Sequence, residues 1–66
     1  MNFYESYYNM YMNGDPTTRV KSKAYWIRRH KENLTSGRQD LIIFSGQILA
    51  MISLAEDKLT ASDTMD

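Results

Sequence analysis

Apolar residues recur along this chain at helical spacing. Phe3, Tyr7, Met10 and Tyr11 stand at i, i+4, i+7 and i+8, one face of a helix over residues 3–12. Tyr4, Tyr8 and Met12 widen that surface. The alternation of Tyr4, Tyr8, Met10 and Met12 also suits a strand. The helix is preferred because no second strand is evident to pair with it. "NGDP" then punctuates the chain. Asn13 and Gly14 tolerate the left-handed conformation that ends a helix. Asp15 caps free N–H groups, and Pro16 suits a first helical position. A second helix is expected over 16–34. "NLTSGRQD" is the next break. Ser36 with Gln39 three residues on resembles a capping box, so a third helix is expected over 38–59. The segment "TASDTMD" has little to bury and is expected to be a loose tail. The reading is an all-α, three-helix domain over 1–59 with a flexible acidic tail over 60–66.

At about 100° per residue the second helix divides into two stripes. Val20, Ala24, Ile27 and Leu34 form an apolar one, expected to face the core, with Lys31 at its edge. Arg19, Ser22, Lys23, Trp26, Arg29, His30 and Asn33 form the other, expected to face solvent. The third helix is apolar nearly all round. Leu41, Phe44, Ile48, Met51, Ile52, Ala55 and Leu59 make one wide face. Ile43, Ala50 and Leu54 lie opposite, and Ile42 and Leu49 on a third side. Two short helices cannot surround such a surface, so self-association is expected. Ile43, Gly46, Ala50, Ser53 and Leu54 are the candidate contact, because Gly46, Ala50 and Ser53 form a strip where another backbone can approach.

The chain has 66 residues and zero net charge, but the charge is unevenly placed. Residues 1–18 sum to −2, residues 19–38 to +6 and residues 40–66 to −4. A basic middle is thus followed by an acidic end. A domain this small has a core worth only about 3–5 kcal/mol without a staple. There is no cysteine, so neither a disulfide nor a thiolate metal site is available. No metal or other cofactor is expected. Zero cysteine and the lack of a signal-peptide pattern fit a cytoplasmic setting. The apolar run Leu41–Ala55 has 15 residues, short of the roughly 20 a membrane span needs. It is read as a buried helix, and no membrane association is expected.

"KAYWIRRHKE", residues 23–32, carries the main functional clue. Lys and Arg neutralise phosphates, an aromatic ring stacks on an unpaired base, and Trp with Arg marks protein-binding hot spots. Arg19, Lys23, Trp26, Arg29, His30 and Asn33 are therefore the candidate partner-binding residues. A solvated basic face is the plain alternative, with Trp26 covering the edge of the core beside Tyr7, Tyr8 or Tyr11. Catalysis is not expected: His30 is the one histidine and has no evident carboxylate pair. The leading expectation is a non-enzymatic interaction protein that regulates or inhibits a larger macromolecule. A nucleic-acid-binding regulator of helix-turn-helix proportions is the alternative, and a structural assembly subunit a third.

Overall fold

A computed structural model describes residues 2–64, with side chains to Ala61. Three helices follow one another: α1 (Phe3–Asn13), α2 (Pro16–Ser36) and α3 (Gln39–Thr64). The described residues contain no strand, so the helical reading of α1 holds over the alternating one. The Asn2 side chain caps α1 by accepting the Glu5 N–H at 2.9 Å. Asp15 caps α2 by accepting the Thr18 N–H at 2.7 Å, and Pro16 occupies the first helical turn.

The break between α2 and α3 differs from the expected capping box. Ser36 is the last residue of α2, and its hydroxyl donates back to the Asn33 carbonyl at 2.8 Å. Gly37 follows in the left-handed conformation at φ 75°, with its N–H also on the Asn33 carbonyl. A glycine is what such a C-cap calls for, so this segment closes α2, while the Ser36 hydroxyl also accepts the Arg38 N–H at 3.4 Å ahead of α3. At its far end α3 continues past the expected stop at Leu59 to Thr64. Residues 60–64 are therefore helical rather than tail, and residues 65–66 lie outside the described ones.

The side-chain pairs fix the topology. Lys23 meets Glu56, His30 meets Ser45 and Asn33 meets Leu41, so α2 and α3 run antiparallel. Phe3 meets Phe44 and Tyr11 meets Glu56, so α1 runs parallel to α3. The result is an up-down-up bundle around Tyr7, Tyr11, Ile48, Ile52 and Ala55. Phe44 and Leu59 of the wide α3 face pack against that core, as does Leu49, and Leu41 and Met51 are half-buried.

α2 presents the opposite stripe from the expected one. Val20, Ile27 and Leu34 are 68%, 38% and 55% exposed. Trp26, His30 and Asn33 point inward instead. The reason is complementarity with what faces them. α1 and α3 offer aromatic rings, and Trp26 sits edge-on to Phe44 at 5.7 Å and Tyr7 at 6.4 Å. A tryptophan brings more apolar area to a core than a valine or an isoleucine. Lower down, α3 offers the Ser45 hydroxyl and the Leu41 carbonyl, which need polar partners once buried.

α3 is longer than expected. Gln39–Ala61, 23 residues, is long and apolar enough to cross a membrane by length and composition. The sequence run stopped at Ala55 because Glu56, Asp57 and Lys58 follow, yet Leu59 and Ala61 extend the apolar pattern. The expectation of a buried helix is corrected as well, since only Ser45, Ile48, Ile52 and Ala55 of that stretch are buried.

Candidate functional site

The six candidate residues on α2 do not form one open face. Arg19 is half-buried, and its guanidinium donates to the Gly14 carbonyl, clamping the α1–α2 turn. Trp26 is half-buried among the rings, with Tyr25 also edge-on to it at 5.2 Å. His30 and Asn33 belong to a polar link between α2 and α3. Lys23 and Arg29 alone of the six are exposed, on either flank of the inward stripe. Lys23 lies 3.9 Å from Glu56, and Arg29 lies 3.8 Å from Glu32. At such exposure each pair contributes at most about 1 kcal/mol.

The polar link centres on Ser45, which is fully buried. Its hydroxyl donates to the Leu41 carbonyl at 2.9 Å and accepts from Asn33 Nδ2 at 3.1 Å. The second Asn33 N–H reaches the Leu41 carbonyl at 3.1 Å. Ser45 Oγ has one hydrogen and spends it on Leu41. The 2.7 Å contact with His30 Nδ1 is then one in which the ring N–H donates. Gly46 sits beside it, and a Cβ placed there would meet the His30 ring at 3.5 Å. The close approach at Gly46 is thus made within the chain, by His30.

A second link joins all three helices at the other end. The Tyr11 hydroxyl donates to Glu56 at 2.8 Å, and Lys23 approaches the same carboxylate. Burial of the phenol, followed by its bond to Glu56, pushes the Tyr11 pKa up to about 12. Tyr7 is the contrast: its hydroxyl is buried with no hydrogen-bond partner among the described residues.

The open basic surface lies one step round α2 from the expected one. Lys21, Tyr25 and Arg28, at i, i+4 and i+7, line an open cleft of about 540 Å³ together with Ser22, Trp26 and Tyr7 of α1. Tyr25 is 45% exposed, and the Arg28 guanidinium lies over its ring at 5.9 Å. Among the described residues, no carboxylate pairs with Lys21 or Arg28. The signal for this surface was the helical spacing of Lys21, Tyr25 and Arg28. It was overlooked because Trp26 drew the face toward itself.

The self-association candidates fall on the outside of α3. Ile43, Ala50, Ser53 and Leu54 are exposed, and Gly46 is half-buried under His30. No cluster of metal-ligating side chains occurs among the described residues. Compared with protein-family models, with curated proteins and with solved structures, the chain matches none.

Proposed function

We propose that this is a cytoplasmic, non-enzymatic interaction protein that regulates or inhibits a larger macromolecule by docking on an acidic protein surface. The contact is the α1–α2 cleft, with Lys21 and Arg28 as its charges and Tyr25 as its apolar anchor. One observation carries this reading: the two cations flank an exposed ring and have no carboxylate partner among the described residues. Docking an acidic side chain there costs no internal ion pair. Tyrosine and arginine are also the residue types that dominate binding energy at protein interfaces. The original candidates act around this cleft. Trp26 also lines it, and Arg19, His30 and Asn33 hold α2 in place.

The test is a label-free titration with poly-glutamate as the acidic probe, comparing the wild type with Lys21→Glu plus Arg28→Glu. Both positions are exposed, so helicity should not change. Loss of binding supports the cleft, and unchanged binding removes it.

The exposed Tyr25 ring favours a second reading, single-stranded nucleic acid, because every base offers a face to stack on. An oligo-dT titration separates the two. If oligo-dT binds more tightly than poly-glutamate, with affinity falling steeply as salt rises, the nucleic-acid reading takes first place.

A further inference from the structure

Lys21, Ala24 and Arg28 stand at three- and four-residue spacing on one side of α2. All three are exposed and line the α1–α2 cleft. Seven residues separate the two cations, so they lie two turns apart and within about 20° of each other round the helix axis. At 1.5 Å per residue their backbone positions are about 10.5 Å apart along α2. Ala24 puts only a methyl group between them. Tyr25 stands beside that gap with its ring exposed, and the Arg28 guanidinium lies over the ring. Glu32, the one carboxylate within α2, lies against Arg29 at 3.8 Å. Among the described residues no ion pair engages Lys21 or Arg28. The cleft thus offers a cation, a small apolar gap beside a ring, and a second cation, set out on a helical repeat.

We infer that the occupant of this cleft is an acidic α-helix of a partner protein, lying along α2 with carboxylates seven residues apart and an apolar side chain between them. This partner class rests on the acidic-surface reading of the cleft given above. Charge selects the acid, and spacing selects the helix. On an extended strand, side chains of one face recur every second residue, at about 6.6 Å and about 13 Å. Neither distance matches the two cations. A helix laid along α2 has the same rise as α2, so its carboxylates at i and i+7 are also about 10.5 Å apart and on one face. Its residue at i+3 or i+4 falls on that face midway between them. There it meets the Ala24 methyl and the Tyr25 ring. Opposite charges at matched positions on two neighbouring helices are the device by which coiled coils choose partner and orientation. Docking in this way breaks no ion pair of the chain's own, since the Arg29–Glu32 and Lys23–Glu56 pairs lie outside the residues used.

Isothermal titration calorimetry of the full chain tests the inference with two alanine-based peptides of one composition. The first carries glutamates at i and i+7 and a leucine at i+4. The second keeps the leucine but carries its glutamates at i and i+5, on different faces. Circular dichroism checks that the two peptides are equally helical. The in-register peptide should bind about tenfold more tightly or better. Lys21→Glu plus Arg28→Glu should abolish that preference, and both positions are exposed, so the helices should be retained. The same double variant should bind a third peptide, with lysines at i and i+7, to within about threefold of the original pair. Restoration by reversed charges in register is the result that a general attraction to acid would not give. Poly-glutamate binding with no preference for the in-register peptide overturns the helical partner and leaves the acidic-surface reading standing. Failure of poly-glutamate and of both acidic peptides to bind overturns the two together. An in-register preference that survives in the double variant overturns the placement in this cleft.

Discussion

Replacing Ser45 with alanine removes a single oxygen, yet it should nearly unfold the protein. That oxygen accepts from Asn33 on the neighbouring helix at 3.1 Å and contacts His30 Nδ1 at 2.7 Å. Asn33 is buried and keeps only its bond to Leu41, so an orphaned N–H there costs about 1–3 kcal/mol. His30 is half-buried and can turn to water, so its lost bond costs about 1 kcal/mol. The sum is about 2–4 kcal/mol, against the roughly 3–5 kcal/mol a core of this size supplies. Urea denaturation at fixed protein concentration, followed by far-ultraviolet circular dichroism, should show the midpoint falling by more than half. Replacing the whole set with His30→Leu, Asn33→Leu and Ser45→Ala should recover most of the loss, because no donor is then stranded. A Ser45→Ala variant within about 0.5 kcal/mol of wild type would refute the reasoning, since that is the scatter of neutral surface changes. So would a triple variant weaker than the single one.

Tyr7→Phe should leave stability unchanged or raise it by about 1 kcal/mol in the same assay, because the hydroxyl it deletes has no partner among the described residues. Alkaline titration should show stability falling from about pH 10 to about 12. The raised pKa of Tyr11 means that the unfolded chain gives up this proton first, so the loss is about 2–3 kcal/mol over that window. Tyr11→Phe should flatten the alkaline limb. Gly37→Ala should cost about 1–2 kcal/mol through backbone strain at positive φ alone, because a Cβ there touches nothing. Gly37→Asn, measured by the same thermal melt, should cost less.

The helix count was legible because the punctuation is local. Asp15 and Pro16 act on the N–H groups within one turn of themselves, so their meaning does not depend on the rest of the fold. Gly37 was visible but misplaced, since a glycine between two helices can end one or begin the next, and only its φ decides. The orientation of α2 was not legible. Its two stripes were correctly drawn, but hydrophobicity alone assigned Val20, Ile27 and Leu34 to the core. The inward stripe is set by partners distant in sequence, the rings of Tyr7 and Phe44 and the hydroxyl of Ser45, none of which a helical projection of α2 contains. The same error placed the basic surface around Trp26 and missed Lys21, Tyr25 and Arg28. The outer side of α3 was anticipated because it needed only counting: two helices cannot cover three apolar sides.

The parallel course of α1 and α3 has a consequence for how the chain finds its fold. The α2–α3 link closes over short stretches, with Asn33 and Ser45 only 12 residues apart. The α1–α3 link closes over a long one, with Tyr11 and Glu56 separated by 45. For a flexible chain that difference adds about 1 kcal/mol of closure entropy. Chain statistics thus favour the hairpin as the first structure to form, held by its own polar link. The tyrosine helix then docks on a surface already built, an order that hydrogen exchange tests: its amides should open before those of the hairpin. On that order the aromatic core is completed last, by the docking of an eleven-residue helix.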